Sequence, residues 1–433
     1  MVAIEKLERQ LDEFDPTLRS EALRSLWREA EGGAIAFAAP SEAVNLHAHT
    51  FFSYNAYGYS PSKFAWLARK TGLAAGGIVD FDVLDGVEEF LAAGRLIGLR
   101  TCASVESRVF VPEFAEFEMS SPGEPGVAYH MGVGFTRALE HPFLSEMRAA
   151  AHKRTRGMID RVNAYLDPVR LDFDRDVAPL TPNGNATERH LCQAYEQKAI
   201  ELFPDQARRA AFWTERLGAA PSESAKLQGL IRAKTMKKGG VGYVAPGQGS
   251  FPKMADMNRF VAEAGAIPTL AWLDGTSNGE AQMEKLVEIG MASGAAALNI
   301  IPDRNYTPGS PDVKVKNLYE VVALAERRGF PIIVGTEMNT PGQKFVDNFG
   351  SAELAPLGPT FLRGAYIVYA HTVLQREFGL GYLSEWAGAN FASTAAKNGF
   401  FLAAGQALQP GGEAKLAGLD ANASPRQVLQ RLQ

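Results

Sequence analysis

The order in which two kinds of segment alternate limits the fold of this chain more than any other feature. Short apolar runs with strand character are followed by amphipathic stretches of helical period. The run AVNLHAH precedes a helix around Pro61 to Lys70, GGIVDFD precedes GVEEFLAAGRLIG, and RTCASVESRVFV and GVAYHMGVGF follow. The alternation stops between about residues 140 and 238, where EMRAAAHKRTRGMIDRVNAYL and DQARRAAFWTERLG carry long helical patterns without a clear strand. After Gly239 it resumes with AGAIPTLAWLDG, GEAQMEKLVEIGMASG, AAALNII, NLYEVVALAERRG and FPIIVGTE. This βαβα order predicts parallel strands. Four runs before the interruption and three after it make about seven strands, a number that suits a closed barrel better than an open doubly wound sheet.

The chain therefore reads as α/β, in five stretches. A helical extension over 1–39, with Leu7, Leu11 and Phe14 at helical spacing, precedes the first barrel part at 40–139. A helical insertion over 140–238 is expected to act as a lid that sets substrate choice, followed by the second barrel part at 239–350 and a C-terminal helical region at 351–433. A length of 433 residues accommodates a barrel core plus such an insertion. The Gly-rich VAPGQGS lacks the Gly-Lys-Ser/Thr ending of a P-loop and reads as a connector.

Charge and composition narrow the partners. A net charge of −5 gives no basis for holding a long nucleic acid backbone, which needs clustered Lys and Arg. No apolar run approaches the roughly 20 residues of a membrane-spanning helix. Cys102 and Cys192 cannot form a disulfide framework and read as packing thiols, and MVAIEKLERQLDEF reads as a charged amphipathic helix rather than a cleavable leader. The cytoplasm is the expected location and a small anionic molecule the expected partner; no oligomeric state is legible.

In a parallel barrel the chemistry sits where strands end, so the ligand-type residues at those ends matter most. They are His47 and His49, Asp80, Glu106, His130 and Glu337. Two histidines at i and i+2 at the end of a buried strand can both turn toward the barrel mouth and begin a metal site. Asp80 suits orienting a histidine as well as binding an ion.

The ordered motifs carry a resemblance. His47-x-His49-Thr50 is followed by Ser53 and then Ser60-Pro61, and Val79-Asp80-Phe81-Asp82, Ser104-Val105-Glu106-Ser107 and His130-Met131-Gly132-Val133-Gly134 come in sequence. After the insertion, GVGYVAPGQGSFPKMADMNRFVAEAGAIPTLAWLDG and GTEMN complete the series, and ERHLCQAYEQKA lies within the insertion. Over about residues 43 to 340 this resembles the PHP (polymerase and histidinol phosphatase) superfamily of metal-dependent phosphoesterases. The insertion is similar to that of the subgroup acting on nucleotide and oligonucleotide phosphates. The resemblance implies a distorted seven-stranded (β/α)7 TIM-like barrel and places His190, with Arg189, near substrate phosphate.

The departures from the pattern are ordered too. Phe81 and Trp272 stand where the family has histidines, Glu337 and Asn339 where it ends in Asp-x-His, and Asn55 at a loop position that can be His. Sorted by ion, the first site survives as His47, His49, Glu106 and Glu337; the second keeps Glu106 and His130; the third is lost. The expectation is one well-held divalent ion (Zn, Mn or Fe) with room for a weaker second, and a metal-activated water attacking a small phosphorylated metabolite or nucleotide. Protein groups would substitute for the missing ions, with Asp80, Asp82, His190, Arg304 and Asp274 as candidates and Phe81, Trp272, Tyr54 and Tyr57 drying the cavity. Two alternatives remain open: a catalytically degenerate binding or regulatory protein with a structural metal, and a metal-assisted hydrolase of non-phosphate substrates.

Overall fold

The computed structural model describes residues 2–244, 251–306 and 312–432. Residues 245–250 of the Gly-rich connector lie outside the described residues. The chain divides into two compact units, one formed by 1–50, 55–139 and 252–433, the other by Phe51–Tyr54 and Glu140–Phe251.

The first unit is a nearly closed seven-stranded barrel with helices around it. Helices α1 (Val2–Gln10) and α2 (Pro16–Glu31) come first, followed by β1 (Val44–Ala48), α3 (Pro61–Lys70), β2 (Ala75–Phe81), α4 (Val87–Ile97), β3 (Arg100–Phe110) and β4 (Val127–Val133). After the second unit come α5 (Met254–Glu263), β5 (Ile267–Trp272), α6 (Met283–Ala292), β6 (Ala297–Ile300), α7 (Pro302–Tyr306), α8 (Asp312–Arg328), β7 (Ile332–Val334) and α9 (Gly358–Phe378). Among the described residues the strands form one sheet in the order β1 to β7. Local signals set the helix ends: the Ser60 hydroxyl caps α3 ahead of Pro61, and α4 stops at Gly98 in left-handed conformation. The N-terminal helices pack onto this unit through Arg19 of α2, ion-paired with Glu89 of α4 at 2.5 Å, and through Glu8 of α1, which accepts from the Trp66 indole.

One strand departs from the expected parallel order. β4 runs antiparallel to both β3 and β5, while the other pairings are parallel. The cause is the connection: residues 111–126 contain only a 3₁₀ turn (Pro112–Phe114) and no crossover helix, so the chain returns along β3. Closure comes from a single parallel bridge, Ala48 to Glu337, in which the Glu337 amide donates to His47 O (2.7 Å) and the His49 amide to Glu337 O (2.8 Å).

A register shift in β1 decides which face its side chains take. Asn45 pairs with Gly76, but three residues later Ala48 pairs with Ile78 rather than Val79. Gly76 faces the helix layer, where a Cβ would meet Ala68 and Phe64 of α3, so by alternation Ile78 faces outward and Val79 and Phe81 inward. Pairing with outward Ile78 leaves Ala48 outward and turns both His47 and His49 into the barrel. The extra residue works as a β-bulge that re-aims a strand.

The second unit is helical and has its own core, built from Val162, Leu191, Tyr195, Phe212, Trp213 and Ile231. The buried Tyr195 hydroxyl donates to Asn163 Oδ1 (3.0 Å), which satisfies the one polar atom of that ring.

Candidate metal centre

Three of the five residues expected to bind metal come together at the mouth. Ligand atoms of His47, His49 and Glu106 all lie within 4.8 Å of one another, and all three residues are buried. Glu106 stands opposite Phe81 in the β2–β3 register, which puts it on the face that His47 and His49 share. Its Oε2 lies 3.7 Å from His47 Nε2 and 3.3 Å from His49 Nε2. Phe81 stacks on the His49 ring with centroids 4.4 Å apart.

The donor set fits a divalent cation. His47 Nδ1 lies 3.1 Å from Asn299 Oδ1, an acceptor, while its Nε2 is buried and has no hydrogen-bond partner among the described residues. A lone pair at Nε2 facing a carboxylate is an arrangement that a cation completes. Burial lowers the pKa of both imidazoles, which keeps them in the neutral form a metal needs. Burial likewise pushes Glu106 up to about 7, aided by the Glu337 and Asp82 carboxylates and only partly opposed by the His47 ring and the Arg304 guanidinium. Two imidazole nitrogens and a carboxylate oxygen suit zinc, manganese or iron.

Glu337 and His130 are placed differently from expectation. The buried Glu337 carboxylate receives Arg304 Nη2 at 3.2 and 3.0 Å on its two oxygens and Gln343 Nε2 at 2.9 Å. Burial acts to raise its pKa, but the Arg304 guanidinium and the two imidazoles outweigh this and hold the carboxyl below its ordinary range. Glu337 thus sits beside the three-residue cluster and binds a guanidinium. His130 is turned away altogether: in the antiparallel β3–β4 register it stands opposite Ser107, whereas Glu106 stands opposite Met131, so His130 and Glu106 occupy opposite faces. The His130 ring meets Asn258 Oδ1 on α5. No second ion site is built from it.

Trp272 is corrected on the same grounds. Asn299, which touches His47, pairs with Ala271, so Trp272 faces the helix layer near Gly275 and Asn317 rather than the cavity. Asp274 is ion-paired with Lys314 at 2.7 Å.

The residues read as catalytic candidates have definite settings. Asp80 accepts the Thr50 amide (2.9 Å) and hydroxyl (2.6 Å), anchoring the turn that follows His49. Arg304, in the short α7 that follows β6, keeps 43% of its side chain accessible while paired to Glu337. His190 is a helix-capping residue of the second unit: its Nδ1 accepts the Thr187 amide at 3.0 Å, its ring meets Tyr54 edge-on, and burial pushes it down to about 3. Asn55 organises the loop after β1, donating to His49 O and accepting the Tyr57 and Tyr59 amides. Cys102 and Cys192 are buried thiols, pushed up to about 11 and about 12.

Two features escape the sequence reading. Arg108 shares the inward face of Glu106, stands opposite Tyr129 and is ion-paired with Glu124 at 2.8 Å, adding a second guanidinium on that face. Backbone strain is the other. Among the described residues, left-handed backbone at non-glycine positions occurs at Asp82 (φ 60°), Glu337 (φ 62°) and Met338 (φ 54°), all at the ends of β2 and β7 around the cluster.

No family model and no curated protein matches this sequence. Two solved structures are similar to parts of this chain at low identity. An amidohydrolase from Chromobacterium violaceum, with bound sulfate and no metal, is 19% identical over 69% of this chain and 88% of its own, with a TM-score of 0.48. A protein from Bifidobacterium adolescentis, provisionally described as a metal-dependent phosphoesterase, is 18% identical over 72% and 94%, also at 0.48. Among the described residues no helix is long and apolar enough to cross a membrane.

Proposed function

We propose that this protein is a metal-dependent hydrolase of a small anionic substrate, with a phosphoester as the bond cleaved. The observation that carries the reading is the His47–His49–Glu106 cluster at the mouth of the barrel. Three protein ligands with further positions open is the composition of a catalytic rather than a structural metal site. A divalent ion held there supplies an acidified water and polarises a substrate oxygen.

The chain's own groups supply the rest. Glu337 occupies only the Nη2 end of Arg304, so the accessible guanidinium keeps donors for an anionic oxygen. A fixed cation aimed where negative charge accumulates takes over part of what additional ions do elsewhere. Asp80 holds the turn after His49, and Phe81 covers one face of that ring and keeps water from it. A second reading, one-ion hydrolysis of a carbon–oxygen or carbon–nitrogen bond, is favoured by the outward turn of His130, which leaves no second ion site.

The test pairs metal analysis with turnover. His47→Ala/His49→Ala should lose both bound metal and hydrolysis of phosphoesters by protein loaded with Zn, Mn or Fe. Full metal content in that variant, measured by elemental analysis, would overturn the site. Turnover of cyclic amides or lactones without any on phosphoesters would select the second reading, and none on either class would leave a binding protein.

A further inference from the structure

Asn299 is a polar residue in the apolar run AAALNII, and in the structure it lies in β6, 1% exposed, between outward-facing Leu298 and Ile300. A buried carboxamide at such a position costs free energy unless its polar atoms are used. Its Oδ1 is used, by His47 Nδ1 at 3.1 Å. Ala271, its neighbour in the β5 register, adds only a methyl group beside it.

The direction of that hydrogen bond has a chemical consequence. A carboxamide oxygen only accepts, so the partner nitrogen carries the proton, and in a neutral imidazole the other nitrogen then carries the lone pair. That other atom is Nε2, the one facing Glu106. We infer that Asn299 is a positioning residue that holds His47 as its Nδ1–H tautomer, so that Nε2 presents its lone pair to a divalent cation shared with His49 and Glu106. The tautomer assignment stands on the hydrogen bond alone; its use in metal binding rests on the proposed function. An amide in this place, rather than a carboxylate, fixes the ring without adding a second negative charge behind it.

The experiment uses the full chain labelled with ¹⁵N-histidine, Co²⁺ as the probe, and three variants. In metal-free wild type, His47, assigned by comparison with His47→Ala, should show the ¹⁵N pattern of the Nδ1–H tautomer. Asn299→Leu, of similar volume without an acceptor, should lose that single pattern and bind Co²⁺ about 10- to 100-fold more weakly, followed by visible absorption. Asn299→Asp keeps the acceptor and should restore both readouts. Asn299→Ala repeats the test if the leucine variant does not fold, as judged by its melting temperature. An Nε2–H tautomer in wild type overturns the inference at once, whatever the metal does. Equal Co²⁺ affinity in wild type and the leucine or alanine variant, or a weakened affinity shared by the aspartate variant, also overturns it. Wild type that shows the Nδ1–H pattern but binds no Co²⁺ overturns its metal-binding half together with the proposed function.

Discussion

Glu337 and His47 are joined through their backbones at 2.7 Å, while the Glu337 carboxylate turns to Arg304. The main chain of Glu337 therefore closes the barrel and its side chain serves the mouth. Left-handed φ at Glu337 and Met338 lets one short segment do both.

The seam tolerates no added bulk at Gly335. A Cβ there would stand 2.4 Å from the His47 amide nitrogen and 2.7 Å from its Cβ. Gly335→Ala should therefore destabilise the protein by about 3 kcal/mol and weaken metal binding together, because the obstacle is the backbone of a ligand. Urea unfolding and a Co²⁺ titration would show both effects; wild-type affinity in a clearly destabilised variant would separate the seam from the site.

Arg304→Met should cost about 2 kcal/mol at pH 7, since it strips the buried Glu337 carboxylate of its cation. The sign with pH follows. Glu337 has its carboxyl lowered in the folded state, so its contribution is present above the ordinary value of 4.5 and is lost as pH falls through the folded value. The gap between wild type and variant should accordingly narrow as pH falls below 4.5 in chemical denaturation. A gap of constant size across pH 3 to 7 would remove the ion pair as its cause.

Phe81→His places a nitrogen donor against the His49 ring, on the face that Glu106 occupies. Tighter metal binding, by about tenfold or more, or a second bound ion is the expected outcome. Unchanged stoichiometry and affinity would mean that the position 81 side chain does not reach the ion.

His371 of α9 is buried, with Nε2 at 3.2 Å from Gly134 O and Nδ1 accepting the Tyr382 amide. Burial pushes it down to about 4 from an ordinary 6.5. Stability held above pH 6.5 should thus be lost as pH falls toward 4, by about 3 kcal/mol for this group. His130, at about 4, and His190, at about 3, act in the same direction. His371→Gln, which does not titrate, should flatten the dependence by His371's share, and an identical slope in both proteins would contradict this account.

The seven strands were legible because the apolar runs and helical periods alternate over a long stretch, and the His47–His49–Glu106 grouping was legible because the two histidines stand at the end of β1 and Glu106 stands level with the last residue of β2. What failed was phase. His130 and Trp272 lie on the expected strands, but a one-residue difference of register decides the face, and β4 runs antiparallel where the alternation predicts a parallel strand. Glu337 was found by position, yet its carboxylate goes to Arg304, a contact between residues 33 apart that no local pattern encodes. Asn299 did leave a signal, a lone polar residue in an apolar run. The second guanidinium, Arg108, left none, because no local pattern in a mostly buried strand shows its pairing with Glu124, 16 residues on.

The register shift in β1 makes the metal centre depend on strand pairing as well as on chemistry. Were the shift absent, with Ala48 opposite Val79 instead of Ile78, the sequence, its hydrophobicity and both histidines would be unchanged. The pairing would then run straight, and the two imidazoles would point at the helices. The same sequence would close around an empty mouth, so the place where β1 accommodates its extra residue specifies the site, with every ligand spelled out either way.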